Sequence, residues 1–128
     1  MDNDAKQASK RRFNEYTPSR ILALAEKQGK AEPAEIIALR LGEVGIAGLP
    51  AEVFVEIGRD IQTHSLLSPT LAIGLTGGSM GYMPHRRGYH ESGYESTYGS
   101  ARYAEETPLK WAMEASRLLN DFVIHYRK

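Results

Sequence analysis

Two segments of the sequence place polar side chains where apolar strands are predicted to end. The first is Leu49-Pro50-Ala51-Glu52-Val53-Phe54, in which a strand leads into a predicted helix with Glu52 on its first turn. The second is Gly77-Gly78-Ser79-Met80-Gly81-Tyr82-Met83-Pro84, a glycine-rich turn that follows another apolar strand. Polar residues at strand ends are typical of binding sites in open α/β layers. These segments therefore predict a site, of which the chain supplies only a part.

Glu52 is the strongest single candidate for a metal-binding residue. A carboxylate at a strand-to-helix turn is held by rigid backbone on both sides, which suits a metal ion. An acid in the first turn of a helix also complements the helix macrodipole without any further role. Because acids are common in first turns, the spacing alone favours this second interpretation.

Three tyrosines follow the glycine-rich turn at irregular intervals. Tyr82, Tyr89 and Tyr94 match the period of neither a helix nor a strand, so we expect them in loops. The glycines before Tyr82 allow backbone turns that would point its side chain away from a strand end. The commoner alternative is a ring that packs on the core while its hydroxyl stays in water.

His85, His90 and Glu91 suggest a metal site only weakly. Their spacing matches no recognised ligand pattern, and the adjacent Arg86 and Arg87 disfavour a cation. We expect the two arginines to pair with nearby acids such as Glu91 or Glu95, or to bind an anionic group. The other two histidines are isolated in sequence and are expected to be structural or exposed: His64 and His125.

Composition restricts the classes of protein that the chain can represent. Its 128 residues suit one modest core, and 16 basic residues balance 16 acidic ones, which disfavours a nucleic-acid partner. The absence of cysteine excludes disulfides and cysteine-based zinc sites. The sequence as written has neither the apolar core of a signal peptide nor a membrane span, so we expect a cytoplasmic protein.

The hydrophobic pattern predicts an α/β fold in which helices cover one face of a small mixed sheet. A charged, helix-prone arm occupies residues 1–33, with a helix starting at Thr17-Pro18, and the folded segment occupies residues 34–128. Residues 76–106 show no regular period, which in a compact domain is more often functional than idle. The predicted elements are a hairpin at 35–49, a helix at 51–62, a central strand buried on both faces at 70–77, and a closing helix at 108–126.

The ordered set of motifs resembles the C-terminal part of the catalytic domain of the neutral/alkaline ceramidase family. The resemblance covers the chain from about residue 39 onward and is nearest to bacterial relatives. Each motif is weak alone, and the set in this order and spacing is fairly specific. It rests on the segment that contains Glu52, the strand that ends in Gly77-Gly78, and the motifs Gly81-Tyr82-Met83-Pro84, Tyr89 and Tyr94-Glu95-Ser96.

The resemblance implies a zinc-dependent hydrolase of N-acyl sphingoid amides, an enzyme of sphingolipid metabolism. It puts Glu52 on the family's glutamate ligand, with Ala51 replacing a glycine, and Tyr82 on the tyrosine ligand. Tyr94 falls on a catalytic tyrosine that hydrogen-bonds the scissile amide or its oxyanion. Members of the family are often secreted or associated with membranes.

The chain departs from the family because no histidine occupies the position of either histidine ligand, both of which lie upstream in the family. Two hypotheses follow. The chain is a fragment or half of a ceramidase-like amidohydrolase, inactive alone, or it is a free-standing small α/β binding protein that keeps the scaffold. A fragment would retain uncovered apolar faces, with the strand at 70–75 as the candidate, so we expect a homo-oligomer or a partner-bound form.

Overall fold

The computed structural model describes residues 18–91, 93–97 and 99–125. The chain divides into two units, Met1–Glu32 and Pro33–Lys128. In the first unit, residues 18–26 form helix α1, whose side chains are exposed except for the half-buried Leu24. The helix start predicted at Thr17 lies outside the described residues.

The second unit is built on a three-stranded mixed sheet. Strands β1 (Ile37–Leu41) and β2 (Val44–Gly48) form the predicted hairpin, with Leu41 opposite Val44. Gly42 turns the chain between them with a φ of 62°, a backbone conformation that glycine adopts without steric cost. Two further strands follow β2, namely β3 (Glu52–Val53) and β4 (Thr70–Ile73). Only β4 joins this sheet, parallel to β2, so the strand order is β1-β2-β4.

Strand β3 pairs in parallel with β5 (Tyr82–Met83) to form a separate two-stranded sheet. The Glu52 amide donates to the Gly81 carbonyl at 3.0 Å, and the Phe54 amide donates to the Met83 carbonyl at 3.2 Å. This pairing holds residues 52–54 extended. The predicted helix at 51–62 is therefore wrong at its start, and helix α2 runs from Val55 to His64. Glu52 lies before the helix and not on its first turn, which removes the macrodipole interpretation.

Helix α2 and the long helix α4 (Thr107–His125) pack together on one face of the three-stranded sheet, which confirms the predicted α/β fold. Small side chains on that face, Ala38, Ala47 and Ala72, let the helices lie close to the strands. The helices bury larger apolar side chains against them: Ile57, Ile61, Trp111 and Leu119.

Strand β4 corrects the prediction of a central strand buried on both faces. It is an edge strand, and Leu71 and Ile73 each remain 48% exposed because the helices cover only the opposite face. The strand also ends before residue 77. Leu75 has a φ of 56°, and its amide donates to the Ala51 carbonyl at 3.0 Å instead of extending the pairing with β2.

The stretch at 76–106 contains short elements that no sequence period indicated. After β5 come helix α3 (Arg86–His90) and a 3-10 turn at Tyr94–Ser96, and loops connect them to α4. Among the described residues, no helix has both the length and the apolar character that a membrane crossing requires.

Candidate functional site

The register of β3 and β5 places Glu52 directly opposite Tyr82. Paired residues of neighbouring parallel strands project their side chains to the same face of a sheet. The carboxylate of Glu52 therefore lies on the same side of this sheet as the hydroxyl of Tyr82 and influences its ionisation. The predicted proximity of these two residues is thus confirmed, and a pair of two-residue strands produces it.

The position of Tyr82 depends on the residue that precedes it. Gly81 has a φ of 88°, and a Cβ atom at this position would lie 2.8 Å from the Ser100 carbonyl oxygen. The same carbonyl accepts a hydrogen bond from the Tyr82 amide at 3.0 Å. Glycine is therefore required for the close approach of the loop at Ser100, which fixes the Tyr82 backbone on the side opposite β3.

Tyr94 lies beside the pair of Glu52 and Tyr82, as predicted, and the three residues form a cluster. Its ring meets that of Tyr82 edge to face, with centroids 5.9 Å apart and planes at 83°. Edge-to-face contact is a favoured geometry for aromatic pairs. The Thr97 hydroxyl donates to the Tyr94 carbonyl at 2.8 Å and closes the 3-10 turn. Tyr94 keeps 52% of its surface exposed, so a ligand can reach it.

Glu52 controls the acidity of Tyr82. A hydrogen bond to the Glu52 carboxylate, together with the negative charge of that group, raises the pKa of Tyr82 above its ordinary value. Tyr94 and Glu95 add smaller effects in the same direction. Tyr82 therefore keeps its phenolic proton to higher pH than an isolated tyrosine. A cation that bound both oxygens would displace the proton of Tyr82.

Glu52 also lines an open cleft of about 440 Å³ between helix α2 and the end of strand β4. Its walls combine apolar residues, Phe54 and Leu75 among them, with polar surface, and its polar side chains besides Glu52 are Arg59 and Gln62. Sequence reasoning missed these two residues. Their spacing of three on an exposed helix face is common, and only the turn of the chain at β3 brings that face beside Glu52.

As a metal centre the cluster is partial. Glu52 and Tyr82 provide two oxygen donors, whereas a catalytic zinc ion normally takes three protein ligands and keeps one position open. Across the described ranges 18–91, 93–97 and 99–125, no three His, Asp or Glu side chains come together in a group that could hold a metal. Carboxylate and phenolate oxygens are nevertheless ligands that zinc accepts, so the pair fits part of a zinc site.

Ionic contacts account for several of the other polar candidates. His90 Nε2 lies 2.8 Å from Glu105 Oε2, and Arg86 lies 3.6 Å from the same carboxylate. Arg87 pairs with Glu91 at 3.7 Å, as predicted. The partner of Arg86 is Glu105 and not the nearer acid in sequence, because α3 packs beside the segment that leads into α4. The His64 ring nitrogen Nδ1 lies 2.7 Å from the Asp60 carbonyl oxygen.

Tyr89 lies on α3 and has a structural role. Its hydroxyl donates to the Tyr103 carbonyl at 3.4 Å, so it bridges α3 and the segment before α4. Burial raises the pKa of Tyr89 to about 12, and the negative charges of Glu105 and Glu106 contribute. Of the three tyrosines predicted to lie in loops, Tyr89 is helical, Tyr82 lies in a strand and Tyr94 lies in a 3-10 turn.

Compared with family models, curated proteins and solved structures, the chain matches none of them. The ceramidase resemblance therefore stays a prediction.

Proposed function

We propose that the chain is a part of a zinc-dependent amidohydrolase of the neutral ceramidase type, in which Glu52, Tyr82 and Tyr94 form one side of the active site. The observation that carries the proposal is the pairing of β3 with β5, which sets Glu52 opposite Tyr82. The edge-to-face contact of Tyr82 with Tyr94 adds the third residue. Residues that the resemblance selects from three separate segments are thus neighbours.

Each of the three residues has a distinct role in this proposal. The Glu52 carboxylate and the Tyr82 oxygen would hold zinc, which supplies Lewis-acid activation of water and of an amide carbonyl when bound. Tyr82 must lose its proton to bind the ion as a phenolate, and the raised pKa opposes that loss until a cation offsets the charge of Glu52. The exposed hydroxyl of Tyr94 would donate a hydrogen bond to the amide oxygen as negative charge develops on it.

The substrate class follows from the resemblance and from the cleft. A lipid amide, in particular an N-acyl sphingoid base, has a polar amide between apolar chains. The cleft beside Glu52 joins a carboxylate to an apolar wall that includes Phe54 and Leu75. Because the chain provides only two oxygen donors, we expect catalysis to require a second polypeptide that contributes imidazole ligands.

A free-standing binding protein is the second candidate. One observation favours it, namely that the second unit has a core of its own, in which Leu49, Ile61, Met83 and Leu119 are fully buried. In this case the cleft would bind a small ligand without hydrolysing it.

The experiment that separates the two begins with the DNA immediately upstream of this reading frame. We expect an open frame that encodes a histidine-rich metallohydrolase segment. When the encoded polypeptide is co-expressed with the 128-residue chain, the two together should release fatty acid from an N-acyl sphingoid amide in a zinc-dependent reaction. The chain alone should release none. In the complex, Tyr94→Phe should lower kcat by about 100-fold or more, since it removes one donor to the oxyanion.

Tyr103→Phe is the matched control, because Tyr103 is a half-buried tyrosine outside the cluster. It should leave kcat within about threefold of the wild-type value. Turnover by the isolated chain, or full activity of the Tyr94→Phe complex, would contradict the proposal. If no such frame exists and no complex is active, the binding role is favoured.

A further inference from the structure

The cleft beside Glu52 runs along the outer edge of strand β4. Strand β4 pairs with β2 on one side only, so its other edge is unpaired within the three-stranded sheet. Ala72 and, just beyond the strand, Gly74 line the cleft, together with Gly58 and Arg59 of helix α2. The volume of about 440 Å³ is in the range of small-molecule sites. An unpaired strand edge offers main-chain hydrogen bonds to a molecule that occupies such a cleft.

The strand register leaves the backbone of Ala72 available for a ligand. The N–H and C=O of one strand residue point to the same side, and successive residues alternate. The Leu49 amide donates to the Ile73 carbonyl at 2.9 Å, so the backbone of Ile73 is directed toward β2. The Thr70 carbonyl is directed away from β2 and accepts from Gln62 Nε2 at 3.1 Å. Ala72 also directs its N–H and C=O away from β2, and neither is hydrogen-bonded within the described part of the chain.

Gly58 keeps space beside the backbone of Ala72. One turn before Gln62, Gly58 lies next to Ala72, where an added Cβ atom would be 3.5 Å from the Ala72 Cβ. This is an ordinary van der Waals distance, so neither a clash nor the backbone requires glycine here. Glycine in a helix interior weakens the helix relative to alanine. What the glycine provides is a cleft without a side chain at this point.

Arg59 brings a positive charge to the same part of the cleft. Across residues 18–91, 93–97 and 99–125, no acidic side chain lies within ion-pair distance of its guanidinium. This holds although Glu56 precedes it by three residues on the helix and Glu52 lines the same cleft. A guanidinium group binds a carboxylate through two parallel hydrogen bonds. Arg59 can therefore bind the carboxylate of a ligand.

The other end of the cleft is apolar apart from Glu52. The Leu75 amide donates to the Ala51 carbonyl at 3.0 Å, which brings the chain after β4 beside strand β3. Phe54 and Leu75 line the cleft at this end, and Leu75 is 53% exposed. The negative charge of Glu52 repels an anionic group, and the positive charge of Arg59 attracts one. A ligand with a carboxylate at one end and an apolar chain at the other is therefore oriented along the cleft.

We propose that the cleft binds an N-acyl amino acid, with its carboxylate at Arg59 and its acyl chain toward Phe54 and Leu75. In an extended amino acid the N–H and the carboxylate point to the same side. The ligand can therefore donate to the Ala72 carbonyl and accept from the Ala72 N–H, as hydrogen-bonded residues of antiparallel strands do. An N-acyl amino acid is itself a lipid amide. Its binding needs neither zinc nor a second polypeptide, so this proposal does not rest on the proposed function.

Calorimetric titration of the full chain in the presence of a metal chelator tests the proposal with a matched set of ligands. N-decanoylglycine, kept below its micelle concentration, should bind with a submillimolar dissociation constant. N-decanoylsarcosine has a methyl group in place of the amide hydrogen and should bind about tenfold more weakly. The methyl ester of N-decanoylglycine lacks the negative charge and should bind at least about tenfold more weakly, as should decanoate, which has no amide.

Two variants test the assigned residues. Arg59→Gln should weaken binding of N-decanoylglycine by about tenfold or more and leave binding of the methyl ester unchanged, because only the acid uses the guanidinium. Gly58→Leu should abolish binding by filling the space beside Ala72. Lys110→Gln is the matched control, since Lys110 is exposed on α4 and does not line the cleft. Circular dichroism verifies that the variants are folded.

Several results would overturn the proposal. They are a failure of the wild type to bind N-decanoylglycine, equal affinity for N-decanoylsarcosine or decanoate, and unchanged affinity in Arg59→Gln. Tighter binding of an unacylated tetra-alanine peptide with a free carboxylate would assign the cleft to a peptide and would also overturn it. None of these measurements involves hydrolysis, so their failure is distinguishable from a failure of the proposed function.

Discussion

The carboxylate of Glu52 is the largest cause of the raised pKa of Tyr82. We predict that Glu52→Gln lowers the pKa of Tyr82 toward its ordinary value, because the negative charge that opposes ionisation is removed. Ultraviolet titration of tyrosinate, with the Tyr82→Phe curve subtracted, isolates the signal of this residue from the other tyrosines. Glu56→Gln, an exposed change on α2, is the control and should leave the curve unchanged. An unaltered midpoint in Glu52→Gln would show that the two side chains do not interact.

Tyr89 makes folding sensitive to alkaline pH. Its pKa is about 12 in the folded chain, above the ordinary value of 10.0, so the folded state keeps a proton that the unfolded state releases. The associated stability is complete below pH 10 and is lost as pH rises toward 12. Urea unfolding should therefore show a steeper decline over this range for the wild type than for Tyr89→Phe. Parallel declines for the two proteins would contradict the prediction.

At the scale of elements, Gly81 holds the cluster together because a loop passes against its backbone. Gly81→Ala should reduce the free energy of unfolding by about 2–4 kcal/mol, from a strained φ and from contact with the Ser100 carbonyl. Gly42→Ala has a similar positive φ with nothing within 4 Å of the added atom, so about 1–2 kcal/mol is expected. Chemical denaturation of both variants measures the difference. Equal losses would mean that the approach of the Ser100 loop is unimportant.

Elements with a clear period were predictable from the sequence. In the hairpin of β1 and β2, apolar residues alternate with other residues on both sides of the Gly42-Glu43 turn. Helix α4 begins at Thr107-Pro108, and its apolar residues recur with a helical period. Strand β3 could not be predicted in this way. It has two residues, too few for a period, and it exists only because β5 pairs with it from a distant part of the chain. The pattern of β4 indicated an apolar strand but could not tell an edge from a centre, because sheet order is set by tertiary packing.

The candidate site was predictable through the resemblance more than through local physics. The residue types of Glu52 and Tyr82 allow metal binding, while their spacing alone favoured ordinary structural roles. The parallel register that joins them, and the contact of Tyr82 with Tyr94, depend on chain segments meeting in space. The cleft residues Arg59 and Gln62 carried no sequence signal at all.

At the scale of the whole molecule, two features are those that we expect of a chain that functions with a second polypeptide, as proposed above. The cluster offers zinc two oxygen donors, fewer than catalysis requires. On the three-stranded sheet, Leu39, Leu71 and Ile73 remain about half exposed although they lie in regular strands. The two features lie on different sheets, so a change in one need not affect the other.

Calorimetric titration of zinc into the isolated chain tests the central claim, that Glu52 and Tyr82 form a partial zinc site, most directly. We predict weak binding, above the micromolar range in dissociation constant, accompanied by proton release as Tyr82 ionises. Glu52→Gln and Tyr82→Phe should each weaken it by about tenfold or more, whereas Glu56→Gln should not. Submicromolar binding would contradict the claim that the site is partial. Binding that is unchanged in Glu52→Gln would show that zinc does not bind at this cluster.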